Sequence, residues 1–252
     1  MLLPVWQVQF GLSYAQIGVL RGAWSATMAG FQLLASRAAR RFGREQLLVG
    51  GTVLVGVAYL LAGQAGGLIA LLAALVLGGL GASTQHPMAS SLVSDTHEPG
   101  APVKQALSQY NFAGDIGKTL IPALVGVSLT VMSWRLSVTL AGVLGLLAAL
   151  AMYLLIPRGA AAHAASSGKA GQHEGTGSVG GLRALLATGF LDSAVRMGFL
   201  TFLPFLLTDK GAGTAGIGLA LTLLFIGGAF GKLLCGYLGA RIGLLKTCLL
   251  YT

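Results

Sequence analysis

The chain has 252 residues, of which 55% are hydrophobic and only 9% charged, and its mean hydropathy is +0.80. A soluble domain carries about 25% charged residues, so this composition excludes a water-solvated globule and points to hydrocarbon as the main solvent. The net charge is +9, from 16 basic and 7 acidic residues. The basic residues lie in short gaps between apolar runs. That pattern fits cationic loops that orient a membrane protein rather than a nucleic-acid surface.

A helix needs about 20 apolar residues to cross roughly 30 Å of hydrocarbon. Taken in chain order, residues 1–10 read as the tail of a span. Seven complete spans follow near 14–36, 46–64, 68–93, 105–131, 135–156, 183–207 and 214–236. Residues 247–252 read as the start of another. The fold class is therefore an all-α membrane bundle. Residues 157–182 are small, polar and Gly/Ala/Ser-rich, a composition that reads as a flexible linker. They divide an N-terminal helical half, 1–156, from a partial C-terminal half, 183–252.

Arg37, Arg40, Arg41 and Arg44 share one side with Lys104, Arg158, Lys169, Arg183, Arg241 and Lys246, whereas the other side holds Arg135 and Lys210. The positive-inside rule makes the first side cytoplasmic. No basic n-region opens the chain as in a signal peptide. Cys235 and Cys248 form no metal-ligand or disulfide pattern, and no cofactor or metal motif is present. HExxH, P-loop and GxSxG motifs are absent, which argues against an enzyme. The basic turn is too short for a nucleic-acid surface, so nucleic acid is not an expected partner.

Residues 10–48 superimpose without gaps on 210–248. Gly11, Ala15, Ile17, Gly18, Ala29, Leu33, Leu34, Arg41 and Gly43 meet Gly211, Ala215, Ile217, Gly218, Ala229, Leu233, Leu234, Arg241 and Gly243. Each copy is a loop, an inward span and a basic turn, so the repeat is parallel. The first turn, Ser36-Arg37-Ala38-Ala39-Arg40-Arg41-Phe42-Gly43-Arg44, resembles the gating signature between helices 2 and 3 of major facilitator transporters. Its repeat, Gly236-Tyr237-Leu238-Gly239-Ala240-Arg241-Ile242-Gly243, resembles the second copy between helices 8 and 9. The 78–122 region is similar to the fosmidomycin-resistance branch. The resemblance implies about twelve spans in two six-helix halves, and hence a chain truncated at both ends. The family's acidic signature residue is replaced by Arg40 and Ala240, which puts its gating role in doubt.

Ionisable groups at membrane depth are costly and are functional candidates. Asp115 and Lys118 are three apart on one helix face, with Asn111 a turn before them. Asp192 and Arg196 are four apart on the seventh helix. The resemblance implies that these two helices line a central cavity, where the pairs would face each other. A carboxylate poised between burial and a cationic neighbour can exchange a proton as the cavity alternates; a fixed ion pair is the competing reading. His86, beside Gln85 and Pro87, is either a titrating group or a solvated helix-end residue. Arg21 is a candidate for the cavity or a side chain that snorkels to the interface. Gly78, Gly79, Gly81, Ala82, Gly227 and Gly231 read as close-packing positions.

The expected function is a proton-coupled secondary transporter of small organic solutes, acting by antiport or efflux, with Asp115 and Asp192 protonatable. The cations Lys118, Arg196 and Arg21 favour an anionic substrate. The expected partners are that solute, the lipid bilayer and the remainder of a longer transporter; the expected location is a bacterial inner membrane, in multi-pass form. The alternative is a non-transporting scaffold, receptor or inactive remnant.

Overall fold

In the computed structural model of the chain, residues 2–95, 103–156 and 179–242 are described, with the side chains of 95, 103–108, 179–182, 184–185 and 232–242 left aside. The elements are α1 (Leu2–Phe10), α2 (Tyr14–Phe42), α3 (Arg44–Gly63), α4 (Leu68–Asp95), α5 (Val103–Val131), α6 (Trp134–Leu155), α7 (Val179–Asp209) and α8 (Thr214–Ile242). The linker proposed at 157–182 lies outside the described residues up to 178, and α7 begins at Val179 rather than at 183.

Six described helices are long and apolar enough to cross a membrane. The seventh expected span, α2, has 29 residues, about 43 Å at 1.5 Å per residue, but falls short on composition. Arg21, Ser25, Thr27 and Gln32 interrupt its apolar run. These helices make the chain an integral, multi-pass membrane protein. Large apolar side chains such as Leu144, Leu154, Phe190 and Leu191 are exposed, as suits surfaces solvated by lipid tails.

Lipid offers no hydrophobic drive between helices, so close approach through small residues must hold the bundle. α3 packs against both α4 and α6 and carries glycines toward each. A Cβ on Gly56 would stand 2.9 Å from Leu146 and 3.1 Å from the Gly142 carbonyl of α6. On the other face Gly51 abuts Gly81 and Thr84 of α4. α2 also packs on α4, where Gly78 receives the Trp24 ring and a Cβ on Gly79 would come 2.8 Å from the Trp24 carbonyl. The packing expectation for these α4 glycines holds. It fails for Gly227, where a Cβ would meet nothing within 4 Å. The main packing of α5 is with α8 across the two halves rather than inside its own.

The core gathers at one end of the bundle, around the turn between α1 and α2. Trp6, Leu12, Ile17, Leu20, Leu71, Trp134, Val138 and Phe205 form one buried cluster drawn from both sides of the linker. Trp6 and Phe10 meet Trp134 edge-on at 6.3 and 5.9 Å. Tyr14 of α2 meets Phe205 of α7 at 5.6 Å. Arg135 lies over the Trp134 ring at 4.7 Å and donates to the Gly63 carbonyl at 3.2 Å, tying off the α3 C-terminus. Each aromatic pair contributes about 0.5–1.5 kcal/mol beyond area burial, and Tyr14–Phe205 joins the two halves at this end of the bundle.

The turn geometry shows why the repeat keeps its glycines. Gly11 (φ 60°) and Gly211 (φ 86°) both turn the chain in the left-handed region that side chains disfavour. Three residues later α2 and α8 begin in register, at Tyr14 and Thr214. Ile17 and Ile217 are both buried. Gly43 (φ 86°) closes α2, donating its N–H to the Ala39 carbonyl before α3 starts.

Candidate functional site

Beside this cluster lies a cavity of about 490 Å³, within the range of small-molecule sites. All eight described helices reach it: Trp6 from α1, Arg21 and Trp24 from α2, Tyr59 from α3, Leu75 from α4, Val125 from α5, Val138 from α6, Thr201 from α7, Leu221 and Phe225 from α8. Positions 21 and 221, equivalent in the repeat, both line it.

Arg21 is the only charged side chain among the described lining residues. Its guanidinium Nη2 donates to the Met197 thioether Sδ at 3.3 Å, a link from α2 to α7. Sulfur is a weak acceptor. The hydroxyls beside it are engaged locally: Thr201 donates to the Met197 carbonyl at 2.7 Å, and Ser137 to the Ser133 carbonyl at 3.1 Å. Trp6 is 4% exposed, and its indole Nε1 has no acceptor.

Asp115 lies elsewhere, in a smaller apolar pocket of about 290 Å³ between α5 and α8, with Phe112, Thr119, Ile226 and Phe230. Lys118 donates to its Oδ1 at 3.3 Å. This pocket sits on the seam joining the halves. Nearby, Thr222 of α8 donates to the Thr119 carbonyl at 3.0 Å. Further out, a Cβ on Gly218 would stand 2.8 Å from the Pro122 carbonyl and 3.1 Å from the Gly126 Cα.

Asp192 and Arg196 pair at 3.2 Å, but their side chains are 67% and 59% exposed, on a stretch of α7 that contributes nothing to the described cavity lining. The two acid–base pairs therefore form within their own helices and do not meet across the cavity. Asn111 and His86 are exposed and line neither pocket; the His86 carbonyl accepts the Ser90 hydroxyl at 2.7 Å. Of the candidates for the cavity, the structure brings Arg21 into it.

In the gating turn, Arg40 and Arg41 are exposed at the end of α2, and Arg41 lies 5.6 Å from the Phe42 ring centre. Glu45, in the first turn of α3, has a buried Oε1 without a hydrogen-bond partner, one residue after Arg44. The side chains of Gly236-to-Arg241, and Gly243 altogether, fall outside the described residues. No group of three or more metal-binding side chains occurs among the described residues.

Sequence reasoning missed Trp6, Trp24, Tyr59 and Phe225 as lining residues. Trp24 left a trace: it follows Arg21 by three residues, on the same face of the one long helix too polar to be a plain lipid-facing span. Tyr59 left none, since one aromatic in an apolar helix carries no directional signal.

A helical membrane bundle with two parallel repeats around a cavity shared by both halves has the architecture of a secondary transporter. A family model of the Major Facilitator Superfamily matches residues 1–250, and the chain belongs to that superfamily. No curated protein matches it. Among solved structures, it is similar to a bacterial homolog of the human lysosomal transporter Spinster in an inward-facing and occupied conformation. The TM-score is 0.76 at 22% identity, over 95% of this chain and 56% of that one. The chain thus spans about half the length of that relative, and the likeness is one of fold.

Proposed function

We propose that this chain carries the N-terminal half and the first part of the C-terminal half of a proton-coupled secondary transporter of small organic solutes, working by alternating access. The observation that carries this reading is the cavity to which all eight helices contribute, lying beneath an apolar closure of the outer ends. Rocking the halves about the α5–α8 seam would part the Tyr14–Phe205 contact and open the cavity outward. The substrate is anionic, with Arg21 as the cation at the site. Asp115 is the proton-exchanging group, since an acid in an apolar pocket between moving halves gains and loses solvation as they move. Lys118 tunes Asp115, and Asp192 with Arg196 forms a second exchangeable pair. On the 78–122 region we assign the chain to the fosmidomycin-resistance branch, acting as an exporter in a bacterial inner membrane.

The test is solute flux in vesicles under an imposed pH gradient, for this chain and for a form extended to twelve spans. Gradient-driven flux that Asp115→Asn abolishes supports the reading. Undiminished flux in that variant removes Asp115 from coupling. Absence of flux from both forms favours the scaffold or remnant reading.

A further inference from the structure

Resting on the reading of the large cavity as the transport site, we propose that its ligand is a monoanion with an apolar body, its acid group held by Arg21 and the Trp6 indole N–H. Three independent observations converge on that chemistry. First, Arg21 is the only charged group among the described lining residues, and its five-donor fork donates to a thioether at 3.3 Å. A guanidinium in a largely apolar chamber lacks the acceptor oxygens it is built to bind, and a carboxylate supplies them in matching geometry. Second, Trp6 lines the same chamber, and its indole N–H is buried without an acceptor. A buried donor left unpaired is costly, so a ligand oxygen that reached it would recover part of that cost. Third, the remaining walls are Trp24, Leu75, Val138 and Phe225, which solvate hydrocarbon or aromatic rings and offer nothing to a second charge.

The same features exclude other classes. An organic cation meets no lining carboxylate and is repelled by Arg21. A polyanion such as a di- or tricarboxylate has one cation for several charges and would leave the rest desolvated, at high cost. A bare inorganic anion forfeits the apolar walls. The position of Arg21 explains the selectivity structurally: its repeat equivalent is Leu221, so the charge sits on one side of the chamber and orients the ligand, acid toward α2 and body toward α8.

The experiment is calorimetric titration of the purified full chain with three probes: 1-naphthoate, 1-naphthylmethylammonium (the same rings with opposite charge) and inorganic phosphate. Naphthoate is expected to bind, with affinity falling at least tenfold in Arg21→Gln, recovering to within threefold of wild type in Arg21→Lys, and falling about threefold in Trp6→Phe. The ammonium probe and phosphate are expected to bind at least tenfold more weakly than naphthoate to the wild-type chain, a comparison that needs no variant to fold. Equal or tighter binding of the ammonium probe overturns the proposal. So does naphthoate affinity unchanged by Arg21→Gln, or no naphthoate binding at all. Naphthoate binding without gradient-driven flux counts against the transport reading alone, whereas flux of the ammonium probe counts against the ligand class alone.

Discussion

The first copy of the repeat, α1 and α2, and the second, α7 and α8, share a backbone and differ in chemistry. Both turn at a left-handed glycine, start a 29-residue helix three residues later, and bury an isoleucine in its first turn. Yet α2 leans on α4 within its own half and carries a cation into the cavity, whereas α8 leans on α5 across the halves and presents leucine and phenylalanine there. The lesson is that the repeat specifies where residues point, and single substitutions specify what they do. One copy brings a charge to the cavity and the other packs across the two halves.

Alanine at the equivalent glycines should break the symmetry most visibly. A Cβ on Gly218 would press on Pro122 and Gly126, whereas one on Gly18 meets nothing within 4 Å. We expect Gly218→Ala to destabilise the purified protein by about 1–3 kcal/mol through overpacking of the seam. Gly18→Ala should stabilise it by about 0.5–1 kcal/mol through helix propensity. Thermal unfolding midpoints in detergent would show the opposite signs; equal shifts would mean that α8 does not press on α5.

Moving the charge sharpens the comparison next. Arg21→Leu should weaken naphthoate binding at least tenfold, about 1.4 kcal/mol. Adding Leu221→Arg should restore at least threefold of that loss, because both positions line one chamber. A double variant no better than the single one would show that the two copies do not present position 21 and position 221 equivalently.

The turns should behave alike. Gly11→Ala and Gly211→Ala each force a side chain into positive φ, at about 1–2 kcal/mol, and matched losses in unfolding midpoint are expected. The smallest contrast lies one step on. Ser13 caps α2 by accepting the Gln16 N–H at 3.2 Å, while the Gln16 side chain accepts the Ser13 N–H at 2.8 Å. The second copy has Gly213 and Gly216 at those positions. Ser13→Ala should cost about 1 kcal/mol, and Gly216→Ala should stabilise by about 0.5–1 kcal/mol. Hydrogen exchange at the first turn of each helix would read both effects.

The turn-to-turn register of the repeat was legible without any structure, because a glycine at positive φ and an apolar run long enough to cross lipid are local requirements written in consecutive residues. Most helix limits came out within about four residues for the same reason, whereas α2 and α8 run on to Phe42 and Ile242, past the ends expected at 36 and 236. The family followed from the basic stretch at the end of α2 and its echo at the end of α8. Arg21 was visible as a candidate because a cation inside an apolar run stands out wherever the run folds.

What tertiary structure decided is which polar groups share a space. Asp115–Lys118 and Asp192–Arg196 look alike as sequence, both acid–base pairs one turn apart. They part company because α5 packs on α8 and shelters Asp115, while the α7 stretch bearing Asp192, residues 186–197, is exposed. The cavity lining is the strongest case. Trp6, Trp24, Tyr59 and Phe225 are scattered over more than two hundred positions, and nothing in their spacing relates them. Helix periodicity gives each side chain a direction relative to its own axis. Only the packing of α2 on α4 and α5 on α8 gives those axes their rotation and neighbours, and so places a lone arginine among apolar helices in the wall of a shared cavity.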